Sequence, residues 1–102
     1  MDNKVKKIIL QIMKKYEYKS IILFGSRARQ DYQEQSDYDL LIIMKNNIEI
    51  QDLRKIQMEI RKELALNDID ADVLVKTQIM VDNYKNKKGN VIYNAMKEGV
   101  LI

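Results

Sequence analysis

A pair of aspartates, Asp37 and Asp39, is placed in the sequence to bind divalent cations. If this segment opens a strand, residues two apart point to the same side, so both carboxylates project together, about 7 Å apart along the backbone. Neighbouring carboxylates repel each other unless a cation holds them. The pair therefore suits the two-metal chemistry of phosphoryl and nucleotidyl transfer, although Asp-x-Asp alone is more often a solvated pair at a strand edge.

A third carboxylate is expected on the predicted strand from Ile69 to Val75, where Asp70 and Asp72 share one face. A charged side chain within a buried strand is costly unless it is paired or binds a metal. Asp72 lies deeper than Asp70 because three apolar residues follow it directly, so Asp72 ranks first and Asp70 second. This carboxylate would bind the catalytic metal and help to deprotonate an attacking hydroxyl.

Gly25 and Ser26 stand where a predicted strand passes into a short helix. Glycine allows a ligand to approach the backbone closely, and the first amides of a helix favour phosphate. Ser26 adds a hydroxyl, and Arg27 and Arg29 add cations that suit phosphate. Taken alone, the pattern is more often a simple turn with an N-cap, so its meaning depends on the aspartates that follow it.

Composition excludes several kinds of chemistry. The 102 residues include no cysteine and no histidine, which removes thiolate zinc sites, cysteine nucleophiles and serine–histidine hydrolysis. Any metal ligands must be oxygens, as Mg²⁺ or Mn²⁺ prefers. A net charge of +3 does not predict nucleic-acid binding. The longest apolar run, Leu40 to Met44, is too short to span a membrane, and we expect one cytoplasmic domain covering residues 1–102.

Hydrophobic periodicity predicts alternating helices and strands. The expected helices cover residues 3–16, 26–33, 50–66, 77–85 and 91–98, with Thr77 and Asn90 as N-caps and Gly99 as the end of the last helix. The expected strands cover residues 20–24, 38–44 and 69–75, with a short terminal strand at 100–102. The fold class is therefore α/β (α+β), with a single small mixed β-sheet on which helices pack and residues 38–44 as a central strand.

The combined pattern resembles a known family. Gly25–Arg29, Ser36–Leu40 six residues later, and Asp72 on a later strand resemble the DNA polymerase β-type nucleotidyltransferase superfamily. The short length resembles its minimal nucleotidyltransferases, the MNT proteins, and the segment from Ile92 to Leu101 is similar to the tail of such domains. One departure is Gln30, which stands where these proteins often carry glycine and puts catalytic competence slightly in doubt.

The resemblance implies a polymerase β-like fold that transfers a nucleotide from ATP. It implies three catalytic, metal-binding residues for two Mg²⁺ ions, with Mn²⁺ as a possible substitute: Asp37, Asp39 and Asp72. It implies three nucleotide-binding residues: Gly25, Ser26 and Arg29.

The resemblance to MNT proteins also implies a partner. Proteins of this type act as antitoxins that transfer AMP onto a tyrosine of a HEPN toxin, and a homo- or hetero-oligomer is possible. The main alternative is a catalytically weak or inactive antitoxin that neutralises its partner by binding. A transferase for a small acceptor such as an aminoglycoside, and a nucleic-acid-modifying enzyme, are the remaining alternatives.

Overall fold

The computed structural model describes all 102 residues and contains one four-stranded sheet with five helices. The helices are α1 (Asn3–Met13), α2 (Gly25–Arg29), α3 (Ile50–Leu66), α4 (Gln78–Tyr84) and α5 (Val91–Glu98). The strands are β1 (Tyr18–Phe24), β2 (Tyr38–Met44), β3 (Ala71–Thr77) and β4 (Val100–Leu101). The strand order is β3-β2-β1-β4, and β2 and β3 are parallel while the other neighbours are antiparallel. The predicted α/β (α+β) class with one mixed sheet is confirmed.

Strand β2 lies inside the sheet, as its continuous apolar run predicts. From Leu40 to Met44 every residue is buried, because helices cover both faces of the sheet. On one face, α1 and α3 pack against the larger core. This core contains fifteen buried residues: Ile9, Ile12, Met13, Ile21, Leu23, Leu40, Ile42, Met44, Leu53, Ile60, Leu64, Ile69, Ala71, Val73 and Val75.

The opposite face of the sheet carries α4 and α5. Seven buried residues form this smaller core: Ile22, Phe24, Leu41, Ile43, Val81, Ile92 and Ala95. Leu74 of β3 packs against it. Because side chains alternate along a strand, Asp39 lies on the same face as Leu41, and Asp72 lies on the same face as Leu74. Both aspartates therefore belong to the α5 side of the sheet.

The helix caps follow the sequence closely. Asp2 accepts hydrogen bonds from the amides of Lys4 and Val5 at the start of α1. The hydroxyl of Thr77 caps α4, and the side chain of Asn90 caps α5, as the sequence predicts. None of the helices is both long and apolar enough to cross a membrane.

Several predicted bounds are wrong by a few residues. Helix α1 ends at Met13 and not at 16, β1 begins two residues earlier than predicted, and β3 begins at Ala71 and ends at Thr77. Helix α2 ends at Arg29 and not at 33, because Gln30 adopts a left-handed conformation with φ 64°. That conformation terminates a helix.

Candidate active site

Asp39 and Asp72 lie side by side on neighbouring parallel strands. Asp39 of β2 is in register with Asp72 of β3, and adjacent strands are about 4.8 Å apart. Asp39 is half-buried, whereas Asp72 is exposed at the start of its strand. Asp37 is also exposed and precedes β2 by one residue. The carboxylates of Asp39 and Asp72 thus lie together at the edge of the sheet where β2 and β3 begin.

The environment of Asp39 disfavours its ionised form. Partial burial is the largest cause and raises the pKa of the Asp39 carboxyl, and the negative charges of Asp72 and Asp37 raise it further. Arg29 acts in the opposite direction, and Glu98 adds a small increase. The three acids therefore interact electrostatically, and the opposing effect of Arg29 does not cancel the rise in the pKa of Asp39.

Gly25 lies directly against Asp39. Phe24, the last residue of β1, is in register with Asp39, which brings the following glycine beside the carboxylate. Gly25 has a φ of 72°, and a Cβ atom at this position would overlap the Asp39 carboxylate. Both observations favour glycine here. The loop predicted to hold phosphate and the aspartate predicted to hold metal are therefore in van der Waals contact.

Arg29 and the amide of Gly25 share one acidic partner, Glu98 at the end of α5. Glu98 Oε1 accepts a hydrogen bond from the Gly25 amide at 3.2 Å and another from Arg29 Nη1 at 3.0 Å. Arg29 Nε also donates to Asp31 at 3.2 Å. Hydrogen bonds to Asp31 and then to Glu98 raise the pKa of the Arg29 guanidinium. The sequence prediction did not single out Glu98, whose only signal was its place in the family-like tail.

Arg27, which the sequence suggested as a cation for phosphate, packs within the loop between α2 and β2. Its guanidinium lies between the rings of Tyr32 and Tyr38, 4.1 Å and 4.3 Å from their centroids. It also donates to the carbonyl oxygens of Glu34 and Ser36. Arg27 therefore clamps the loop between α2 and β2 just before Asp37, and the two tyrosines pack on it.

Asp70 is set apart from Asp72, although the sequence placed both on one strand face. Asp70 precedes β3 and is exposed, and its carbonyl accepts the Tyr38 amide at 3.0 Å. It is not among the charges that shift the pKa of Asp39, whereas Asp72 is. The geometry thus favours Asp72 over Asp70 as the third carboxylate.

The donors at this edge fit a hard divalent cation. They are carboxylate oxygens whose repulsion is not compensated, and such oxygens are the ligands that Mg²⁺ prefers. In this structure, no three acidic side chains converge closely enough to enclose an ion. The ligand atoms are therefore of the kind that binds Mg²⁺, but the three carboxylates do not converge on a single point.

Comparison with known proteins identifies the family to which the fold and the candidate site belong. A family model described as polymerase beta, nucleotidyltransferase, matches residues 6–102. The chain belongs to this nucleotidyltransferase family. MJ0141, a candidate protein adenylyltransferase of Methanocaldococcus jannaschii, is 34% identical over 71 residues, which are 63% of this chain and 72% of that protein. MJ0435 of the same organism, described in the same way, is 31% identical over 77 residues, or 76% and 80% of the two chains.

Solved structures share the fold. A crystal structure of a toxin–antitoxin with AMP-PNP has a TM-score of 0.62 at 14% identity, and the match covers 94% of this chain and 70% of the matched chain. A crystal structure of a mutant MntA–HpeT toxin–antitoxin has a TM-score of 0.58 at 14% identity, and the match covers 95% of this chain and 70% of the matched chain. A candidate nucleotidyltransferase from Sulfolobus solfataricus has a TM-score of 0.54 at 24% identity, covering 96% and 76%. These likenesses confirm the polymerase β-like nucleotidyltransferase fold.

Proposed function

We propose that this nucleotidyltransferase moves AMP from ATP to a hydroxyl group, that it depends on Mg²⁺, and that its acceptor is a tyrosine of a HEPN toxin, for which it serves as antitoxin. The observation that carries the proposal is the contact between Gly25 and Asp39, with Asp72 in register beside them. This arrangement puts the donors for phosphate next to the acids for metal.

The loop residues would bind the nucleotide through its phosphates. The Gly25 amide, the Ser26 hydroxyl and the Arg29 guanidinium are all donors, and together they match the oxygens of a polyphosphate. Because Gly25 touches Asp39, phosphates bound at the loop would lie within reach of the aspartates. Binding at this place would orient the α-phosphate towards the sheet edge.

The three aspartates would hold the divalent ions and handle the proton. Asp37, Asp39 and Asp72 would bind Mg²⁺, which supplies charge stabilisation on the phosphates when bound. The acceptor oxygen would form a bond to the α-phosphorus, the bond from that phosphorus to the bridging oxygen would break, and pyrophosphate would leave. Asp72, exposed at the open edge, would help to take the proton from the hydroxyl.

Exposure of the site supports a macromolecular acceptor. Asp37 and Asp72 are exposed, so a hydroxyl carried by another polypeptide can reach them from solvent. Two relatives are described as candidate protein adenylyltransferases, and two structural neighbours are toxin–antitoxin complexes, one of them with AMP-PNP. The HEPN class and the tyrosine rest on the resemblance of the sequence to MNT proteins.

Mass spectrometry of the partner tests this proposal. Tagged protein would be recovered from its own cells with whatever binds it and then incubated with Mg²⁺ and ATP. We expect the bound protein to gain the mass of one or more adenylyl groups, and peptide fragmentation to place them on tyrosine. A partner whose mass stays unchanged would contradict the transferase proposal.

Two observations support the second candidate, an antitoxin that acts by binding alone. Gln30 holds a strained conformation at the end of the loop, and Glu98 occupies the Gly25 amide and Arg29. The double variant Asp37→Asn and Asp39→Asn separates the two functions. It would lose neutralisation of the toxin if transfer is the mechanism and keep it if binding is sufficient.

A further inference from the structure

Glu98 occupies two of the donors that the proposed function assigns to phosphate. A single oxygen, Glu98 Oε1, accepts both the Gly25 amide and Arg29 Nη1. The side chain is 31% exposed, so water can reach it. A carboxylate oxygen and a phosphate oxygen are both anionic acceptors of similar hydrogen-bond geometry. In the nucleotide-free protein, Glu98 thus stands where a phosphate oxygen would bind.

The stability of α5 does not account for an acid at this position. Glu98 is the last residue of the helix, where a negative charge is unfavourable because it faces the negative end of the helix dipole. Its negative charge also adds to the repulsion at Asp39. An acid that is unfavourable for both its helix and its acidic neighbour therefore stands where its two hydrogen-bond partners are the donors that the proposed function assigns to phosphate.

We propose that Glu98 is an internal competitor of the nucleotide, which holds the phosphate donors in the free protein and is displaced when polyphosphate binds. This inference rests on the proposed function and adds a residue that sets nucleotide affinity. The same N–H groups cannot donate fully to both anions, so each binding event must break the contacts to Glu98. The affinity for nucleotide is lowered by the free energy of those contacts.

The variant Glu98→Gln tests the competition, because it keeps the shape of the side chain and removes its charge. We expect the dissociation constants of ATP and of inorganic tripolyphosphate, measured by calorimetry, to fall about threefold to tenfold, as for the loss of a partly exposed charged contact. Adenosine has no phosphate, so its binding should not change. Glu49→Gln is a matched control that removes an equal charge at the start of α3, away from the loop.

A double variant adds a second readout. In an Arg29→Gln background, one of the two contacts of Glu98 is already gone, so the gain from Glu98→Gln should shrink. Melting temperatures of all variants would show that they fold. Weaker or unchanged binding of ATP and tripolyphosphate by Glu98→Gln would overturn the inference while leaving the proposed function intact. If neither the natural protein nor the variant binds ATP, the proposed function fails, and the inference fails with it.

Discussion

Asp39 is the residue at which stability and chemistry oppose each other. Partial burial and the acids Asp72 and Asp37 raise its pKa, so the ionised form is less favourable in the folded chain than in the unfolded one. A group of this kind is retained at a functional site in spite of its effect on folding. A bound cation would stabilise the ionised form of Asp39, and the carboxylate oxygens at this edge are suitable ligands for one.

The raised pKa predicts a pH-dependent stability gain for Asp39→Asn in metal-free buffer. Just above the ordinary value of 3.8, the folded protein binds more protons than the unfolded chain, so Asp39 lowers the free energy of unfolding as pH rises. Asparagine lacks this effect. We expect Asp39→Asn to raise the melting temperature at pH 7 and the difference from the natural protein to narrow as pH falls towards 4. A lower melting temperature for the variant at pH 7 would contradict this.

The separate positions of Asp70 and Asp72 predict different outcomes for two otherwise identical substitutions. Asp72→Asn removes the acid in register with Asp39 and should lower the rate of nucleotidyl transfer by about 100-fold or more. Asp70→Asn changes an exposed acid outside β3 and should leave the rate within about threefold. Rates would be measured with the partner protein as acceptor. Equal losses in both variants would mean that the assignment of the third carboxylate is wrong.

Helix α2 and the loop after it show how local backbone shape limits prediction from sequence. The helix ends at Arg29 because Gln30 takes a φ of 64°, a conformation that favours glycine. This conformation fits the glycine that the resemblance to minimal nucleotidyltransferases implies at this position. Periodicity alone continued the helix to residue 33, because apolar spacing carries no information about a left-handed residue.

Gln30→Gly should therefore stabilise the protein. The substitution removes the steric cost of a left-handed glutamine, and we expect the free energy of unfolding to rise by about 0.5–1 kcal/mol, measured by urea denaturation. Gln35→Gly lies in the same loop at a residue without positive φ. It is the matched control and should lower stability because glycine adds backbone entropy to the unfolded chain. A loss of stability in Gln30→Gly would contradict this account of the end of α2.

The clamp formed by Arg27 predicts that lysine cannot replace it. Lysine would keep the charge but would lose the planar contact with Tyr32 and Tyr38 and the fork of hydrogen bonds to the loop carbonyls. We expect Arg27→Lys to lower the free energy of unfolding by about 1 kcal/mol. Arg54→Lys, at an exposed position of α3, should change it little. Equal effects of the two substitutions would show that the stack does not stabilise the loop.

Across the whole molecule, the sequence predicted the layers better than the contacts between them. The buried run of β2 and the amphipathic spacing of α1 and α3 were enough to place one sheet between helices. The contact of Glu98 with Gly25 joins residues 73 positions apart, and its contact with Arg29 spans 69. No periodicity reports on such a pair, so the sequence identified the loop and the aspartates but not the acid that α5 brings to them.

The central claim, transfer of a nucleotide to a protein, is tested most directly by the origin of a label. The protein and its bound partner would be incubated with Mg²⁺ and ATP labelled at either the α- or the γ-phosphate. The control is the Asp37→Asn and Asp39→Asn double variant. We predict label from the α-phosphate on the partner and none with the control. Label from the γ-phosphate would mean a kinase, and no label on a partner that still binds would contradict transfer.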